Sequence, residues 1–247
     1  MIVGTIPLSM TRRLDRLIRF AFGPVFGRAL VGTFHRTLAG AAAVPWYLSG
    51  GIAAAGCDAA YLAKAAASEA ASYVNLNNPG TYDLTATIAP GWDATGWAFT
   101  GTEYLKTGWI PPSVDITVIV RFSDATGTLN CAIGSSDGTV TQLFLIRPRI
   151  SADHRYLNGG STELSVSGLL ASGVMCIAGT DGYLDGSDEG NITTGVQTPA
   201  PLYIGGFNVN NAAMAQGFVG KIQAVALYSV VITSAQVAAV STAMAAL

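Results

Sequence analysis

Short runs of β-branched, aromatic and alternating apolar residues follow one another between residues 76 and 231, with turn residues between them. Such runs at a spacing of roughly 8–12 residues indicate a β-sandwich or a barrel. The turns contain Gly, Asn and Asp, which accept positive φ; they are Asn78-Pro79-Gly80, Ser136-Asp137-Gly138, Asn158-Gly159-Gly160 and Asp185-Gly186. The candidate strands are residues 97–100, 104–107, 116–123, 130–135, 139–146, 155–158, 163–167, 174–180, 182–184, 190–194, 201–205 and 217–228.

Two patterns place parts of the chain relative to a core. The run from Ile116 to Phe122 is β-branched and nearly all apolar, which is typical of a central strand covered on both sides. Near the end of the chain, Thr233 and Gln236 have capping-box spacing. One apolar face follows at helical spacing, made of Val237, Val240, Met244 and Leu247. We therefore predict a short C-terminal helix over residues 233–246.

The first 39 residues differ from the rest of the chain in charge. They hold six arginines and one acid, a balance of +5, whereas the other 208 residues hold seven basic and fourteen acidic side chains, a balance of −7. Thr11 can cap a helix that ends at Gly23-Pro24. Its apolar positions include Leu14, Leu17, Ile18 and Phe22, and its basic positions are Arg12, Arg13, Arg16 and Arg19. We predict a basic amphipathic arm, helical or in part extended, over residues 1–39.

An Ala-rich segment, residues 40–75, joins the arm to the predicted sandwich. The residues around Trp46 and Tyr47 favour a strand. Residues 59–72 have high helix propensity but no wide apolar stripe, and Ala-rich runs also occur as closely packed strands and loops. The conformation of this segment stays open.

The chain has three cysteines, Cys57, Cys131 and Cys176, and an odd number without regular spacing does not form a disulfide framework. Cys131 and Cys176 lie in apolar, strand-like runs. Buried free thiols are therefore predicted. A Cys131–Cys176 bridge is the alternative if their strands are neighbours.

The order of motifs in the chain resembles that of a known family. Trp-Ala-Phe-Thr-Gly-Thr-Glu-Tyr-Leu (97–105) is followed by the long strand, by Gly-Tyr-Leu-Asp-Gly (182–186) and by Pro-Leu-Tyr-Ile-Gly-Gly (201–206). The last motif runs from Gly-Phe-Val-Gly-Lys-Ile (217–222) to Tyr228, before Thr-Ser-Ala-Gln-Val (233–237). Over about residues 75–247 the chain resembles the laminin-G-like, concanavalin A-like lectin/glucanase superfamily.

The resemblance implies an all-β, two-sheet antiparallel jelly-roll sandwich over residues 76–247. Because such modules are common in phage virion proteins, it also implies a virion structural protein, in the capsid surface or the tail. There it would attach to host-surface glycans or stabilise the particle. The alternative is a free or cell-surface carbohydrate-binding lectin. Laminin-G modules often bind calcium at a rim, but no calcium ligands map onto this sequence, and no cofactor is predicted.

No catalytic motif is present in the sequence, which lacks Gly-x-Ser-x-Gly, His-Glu-x-x-His, a P-loop and Cys-x-x-Cys. His154 is the only histidine of the predicted sandwich and is expected to be structural or exposed. Related glucanases carry Glu-x-Asp-x-x-Glu on one strand, and no strand here has that spacing. The densest acidic cluster is Asp181, Asp185, Asp188 and Glu189, which fits a solvated hairpin better than a calcium loop. The prediction is a protein without enzymatic activity.

The basic arm has three interpretations. As an anchor it would dock its apolar face on another virion protein; the anchoring residues would be Arg12, Arg13, Leu14, Arg16, Leu17, Ile18, Arg19 and Phe22. As an interfacial helix it would contact an anionic membrane, and as a cap it would cover its own sandwich. Nucleic acid is not a predicted partner, because the basic cluster lacks interleaved stacking residues. Only 11% of residues are charged, which favours self-association or assembly with other proteins.

Overall fold

Short strands dominate the computed structural model, which describes residues 44–139, 141–211 and 213–247. In chain order the strands are β1 Cys57–Leu62, β2 Thr85–Ile88, β3 Gly91–Asp93, β4 Gly96–Thr100, β5 Tyr104–Lys106, β6 Thr117–Ser123, β7 Leu129–Asn130, β8 Ile133–Ser136, β9 Leu143–Ile150, β10 Asp153–Gly160, β11 Leu164–Ser167, β12 Gly173–Ala178, β13 Asp181–Leu184, β14 Ser187–Asn191, β15 Tyr203–Ile204, β16 Phe207–Val209, β17 Ala213–Ala215 and β18 Val219–Tyr228. The α-helices are α1 Glu69–Ser72 and α2 Ser234–Ala245, and 3-10 turns occur at Trp46–Leu48 and Ala54–Gly56. None of the helices in these ranges has the length and apolar character needed to cross a membrane.

The strands form two sheets that pack face to face. The first, eight-stranded sheet has the order β14-β13-β12-β6-β18-β4-β3, with β1 beside the C-terminal half of β18. The second, ten-stranded sheet has the order β11-β10-β9-β8-β15-β5-β2, with β7 beside β9 and the β16–β17 hairpin beside β8. Pairing in the described residues is antiparallel except between β16 and β8. The predicted all-β, two-sheet antiparallel sandwich is confirmed.

The inner faces of the two sheets bury one apolar core. Val118, Val120 and Phe122 of the central strand β6 point into it, as the apolar run predicted. Four apolar residues of the last motif are fully buried in this core; they are Phe218, Ile222, Val225 and Leu227. Burying side chains of this size contributes about 1.5–3 kcal/mol each.

Helix α2 covers the outer face of the first sheet. Its buried residues Val237, Val240 and Met244 pack with Ile119 and Cys176 of strands β6 and β12. The predicted capping box is present, since Thr233 Oγ1 accepts from the Gln236 N–H at 3.3 Å and Gln236 Oε1 accepts from the Thr233 N–H at 2.9 Å. The central strand is therefore apolar on both sides because both sides are covered.

The Ala-rich segment contributes a strand where its propensity favours a helix. Strand β1, Cys57–Leu62, pairs with β18, and within residues 59–72 only Glu69–Ser72 is α-helical. The antiparallel pairing of β1 with β18 is a tertiary interaction, and here it overrides the helix propensity of the alanines. The strand expected at Trp46 and Tyr47 is wrong, because these residues form a 3-10 turn closed by the Leu48 N–H donating to the Pro45 carbonyl at 2.9 Å.

The predicted strand 139–146 is displaced along the chain. Strand β9 begins at Leu143 because Asp137 accepts from the Thr139 N–H at 2.8 Å and holds this stretch in a turn. The strand continues through Pro148 to Ile150, and its register with β10 shifts between Asp153 and Arg155. A bulge of this kind accommodates a proline that cannot donate to the ladder.

The three cysteines are free and buried. Cys131 packs on the outer side of the second sheet with Leu145 and Leu157, whereas Cys176 lies on the outer side of the first sheet. The two thiols therefore point away from each other, so the alternative of a Cys131–Cys176 bridge is wrong. Burial raises the pKa of Cys131 to about 12, and the thiol stays protonated at neutral pH.

The turn at Asp185 and Gly186 lies directly against helix α2, so a substitution there reports how closely the helix packs on the first sheet. Both residues have positive φ, 51° and 84°, as the Asp-Gly pair predicted. A Cβ on Gly186 would lie 2.8 Å from the Ala238 Cα of α2, whereas at Gly51, with φ 77°, a Cβ meets nothing within 4 Å. Gly186→Ala should therefore cost about 1–3 kcal/mol more than Gly51→Ala in urea unfolding of the full chain. Equal losses would contradict the close packing of α2 on this hairpin.

Candidate functional site

A row of side chains crosses the outer face of the second sheet. Thr85 of β2 pairs with Lys106 of β5, and Lys106 pairs with Tyr203 of β15. Because successive residues of a strand point to opposite faces, Leu105 and Ile204 enter the core while Lys106 and Tyr203 point outward. The row begins at β2, an exposed strand at the end of the sheet order. It is therefore accessible from the sheet edge.

A groove of about 480 Å³ lies over this row. It is lined by Gly80, Tyr82, Asp83, Thr85, Lys106, Thr107, Gly108, Pro201, Tyr203 and Asn211. The lining combines aromatic rings with hydroxyl, amide and charged groups. Binding sites for small molecules have this size and this mixture of ring surface and polar groups.

Tyr203 and Tyr104 form a stacked pair beside the groove. Their ring centroids are 4.9 Å apart and their planes differ by 17°. Tyr203 is only 3% exposed, so the pair is a fixed part of the wall. Burial, followed by the charge of neighbouring Tyr104, raises the pKa of Tyr203. Its hydroxyl is therefore protonated at neutral pH and can donate a hydrogen bond.

Tyr82 presents an exposed ring at the mouth of the groove. Its side chain is 40% exposed although its backbone has φ 60°, a conformation that is unfavourable for a bulky residue. The surrounding loop holds it there, because Tyr61 Oη donates to the Tyr82 carbonyl at 2.6 Å and Asp83 accepts from the Asn75 N–H at 2.8 Å. Residues in such conformations concentrate at functional sites, where the rest of the fold maintains them.

Lys106 supplies the positive charge of the groove. Its Nζ is 5.9 Å from the ring centroids of both Tyr104 and Tyr203, within cation–π range. No carboxylate within the described ranges forms a salt bridge with it. Asp83, the only acid among the described residues that line the groove, accepts hydrogen bonds from the backbone N–H groups of Asn75 and Gly80.

A second cavity, of about 500 Å³, lies between helix α2 and the first sheet. Its lining includes Arg121, Asp185 and Ser241. The Arg121 guanidinium donates to the Met244 carbonyl in the last turn of α2. A cation there complements the negative end of the helix, so Arg121 is accounted for by its part in fixing α2.

His154 belongs to a buried network between the sheets. Its Nδ1 is 2.8 Å from the Gly168 carbonyl and its Nε2 is 2.8 Å from Glu189 Oε2. The Tyr156 hydroxyl donates to the same Glu189 oxygen at 2.6 Å. Burial, followed by this hydrogen bond, raises the pKa of Tyr156, which keeps the donor protonated. Both imidazole nitrogens face protein atoms, so the geometry gives His154 the structural role predicted for it.

An ionic cluster lies on the outer face of the second sheet near β11. Glu163 accepts from Arg147 at 2.5 Å and from Arg155 at 2.7 Å, and Arg155 also contacts Asp153 at 3.3 Å. Arg147 is 7% exposed. Glu163 is thus held by two guanidinium groups, and these contacts account for its place in the fold.

The structure describes some of the residues that the sequence singled out and not others. The predicted anchoring residues Arg12 to Phe22 lie outside the described residues. In the acidic cluster, Asp181, Asp185 and Asp188 each accept a hydrogen bond at the hairpin. Glu189 departs from the expected solvated position, because it turns inward to His154 and Tyr156. No group of three or more His, Cys, Asp or Glu in the described ranges is arranged to hold a metal ion.

The groove residues were missed by sequence reasoning. Tyr104 and Lys106 stand two apart in a strand, which places both on one face. However, nothing in the sequence shows that β15 pairs with β5, or that the turn at Tyr82 lies above them. The sequence feature that could have pointed to the groove was the presence of two tyrosines, Tyr104 and Tyr203, in motifs already assigned to strands.

Comparison with known proteins shows a likeness in fold. Neither a family model nor a curated protein sequence matches the chain. Domain 4 of AbnA, a GH43 extracellular arabinanase from Geobacillus stearothermophilus solved with arabinotriose, is similar with a TM-score of 0.50 and 12% identity, covering 75% of this chain and 98% of that domain. Trypanosoma rangeli sialidase with 2,3-difluorosialic acid gives a TM-score of 0.53 and 14% identity over 88% of this chain, which spans 39% of the sialidase. The chain therefore has a concanavalin A-like β-sandwich fold.

Because one lies in the buried network and the other on the surface, two tyrosine–glutamate hydrogen bonds should contribute differently to the free energy of unfolding. Tyr156→Phe removes a donor from the partly buried Glu189 and should destabilise the fold by about 1–3 kcal/mol. Tyr73→Phe removes a hydroxyl that donates to Glu69 at 2.8 Å on the exposed surface and should cost no more than about 0.5 kcal/mol. Urea unfolding of both variants measures the difference. Equal costs would contradict a structural role for the network.

Proposed function

We propose that the protein binds carbohydrate without modifying it, and that the groove over Thr85, Lys106 and Tyr203 is the binding site. The observation that carries the proposal is the exposed Tyr82 ring, which a left-handed backbone and a hydrogen-bonded loop hold at the mouth of an open groove. Sugars offer an apolar C–H face and a rim of hydroxyls. An aromatic ring beside hydroxyl, amide and ammonium groups matches both.

The fold supports the same proposal. The arabinanase domain with this fold was solved in complex with arabinotriose, and the sialidase in complex with a sialic acid derivative. Those ligands belong to those proteins. They support the proposal because they place oligosaccharide and sugar ligands in proteins that contain a sandwich of this kind.

The absence of catalysis is part of the proposal. Glycoside hydrolysis commonly uses two carboxyl groups that flank the scissile bond. The groove lining has one, Asp83, and backbone N–H groups already engage it. Two other candidate acids serve the fold, since Glu163 holds Arg147 and Glu189 holds His154. A bound sugar would thus meet recognition groups without an acid pair.

We further propose that the sandwich is a virion structural protein of a phage, displayed on the capsid surface or the tail. Three features support this: the resemblance of its motifs, the low fraction of charged residues and the basic arm of residues 1–39. The arm would bind other virion proteins, and the groove would contact host-surface glycans. A free or cell-surface lectin is the second candidate, favoured by the groove itself, which requires no particle.

The Tyr82 ring should contribute directly to sugar affinity. Tyr82→Ala in the full chain should weaken binding on a glycan array, and then in calorimetry with the best glycan, by about tenfold or more, because the aromatic contact is lost. Tyr82→Phe retains the ring and should stay within about threefold. Thermal unfolding of both variants controls for folding. Unchanged affinity of Tyr82→Ala would contradict the assignment of the groove.

The arm should determine incorporation into particles. Deleting residues 1–39 should reduce the amount of protein that copurifies with assembled virions by more than about tenfold, since the anchoring helix would be lost. Normal glycan binding by the same truncated protein would show that the loss is one of anchoring. Undiminished incorporation would contradict the anchoring role and favour the free lectin.

A further inference from the structure

We infer that the groove selects acidic sugars, with the Lys106 ammonium receiving a carboxylate or a sulfate. This inference rests on the proposed carbohydrate-binding function and adds the substrate class. Lys106 lies in the middle of the cross-strand row, between Thr85 and Tyr203. A ligand that fills the groove would meet this charge at its centre.

The other basic side chains show why Lys106 is distinctive. Residues 44–247 hold seven, and five of them donate to a carboxylate or a backbone carbonyl; these are Arg121, Arg147, Arg149, Arg155 and Lys221. Lys64 and Lys106 make no such contact within the described ranges. Lys106 is the one of these two that lines the groove.

The surroundings leave the charge of Lys106 available to a ligand. The faces of Tyr104 and Tyr203 stabilise an ammonium without neutralising it, and they fix its position on the wall. Asp83 is turned to the backbone N–H groups of Asn75 and Gly80. The remaining described residues carry a net negative charge, which would repel an acidic ligand elsewhere. A local positive site on an acidic domain therefore directs an anionic group to the groove.

The geometry assigns a place to each part of the ligand. The acidic group would contact Lys106, and the sugar ring would extend toward the exposed face of Tyr82. The amide of Asn211 and the hydroxyl of Thr85 would meet the sugar hydroxyls. A charge-assisted hydrogen bond in a partly buried site corresponds to about 10- to 100-fold in affinity.

The test compares matched glycans on the full-length protein. Lactose, sialyl-lactose and sulfo-lactose share one core, and glucose-capped and glucuronate-capped versions of one oligosaccharide form a second matched set. Acidic members should bind at least about tenfold more tightly than neutral ones, and the advantage should shrink at high salt. Comparison of sialyl-lactose with sulfo-lactose shows whether the groove prefers a carboxylate or a sulfate.

Matched variants assign the preference to one residue. Lys106→Gln should lose most of the acid preference, measured as the ratio of acidic-glycan to neutral-glycan affinity, and Lys106→Arg should retain that ratio. Lys64→Gln removes the same charge outside the groove and should change nothing. Equal affinity for neutral and acidic glycans, or a preference that survives Lys106→Gln, would overturn the inference while the carbohydrate-binding function stands. Binding of none of these glycans would overturn both.

Discussion

The packing of helix α2 on the first sheet is the constraint on which the rest of the structure depends. Val237, Val240 and Met244 bury the outer side of β6 and β12, so this sheet has an apolar layer on each side. That explains why β6 is apolar at nearly every position and why Gly186 has no room for a side chain.

The second sheet has the complementary arrangement. Its inner side shares the core, and its outer side combines a small apolar cluster, an ionic cluster around Glu163 and the cross-strand row at Lys106. The side chains of the apolar cluster pack on one another, and those of the ionic cluster form salt bridges with one another. The loop at Tyr82, where the backbone has a positive φ, lies beside this row, and the groove lies between them. Under the proposed function, the packing of α2 and the recognition of a ligand therefore lie on different sheets.

Much of the fold was predictable from local pattern. The apolar run at β6, the Asp-Gly turn and the Thr233–Gln236 capping box all depend on neighbours in sequence, and the structure confirms them. The Ala-rich segment was not predictable, because its pairing with β18 links residues far apart in the chain. The groove was missed for the same reason. Tyr82, Lys106 and Tyr203 are brought together by long-range strand pairing, which no local sequence pattern reveals.

We propose that the ligand binds in the groove on the second sheet and not in the cavity below α2. Hydrogen–deuterium exchange of the full chain, with and without a saturating acidic glycan, measures this directly. We expect slower exchange in the loop of residues 80–85 and at residues 106–108, with exchange in α2 unchanged. Slower exchange confined to α2 and the strands around Arg121 and Asp185, with no change near Tyr82, would contradict it.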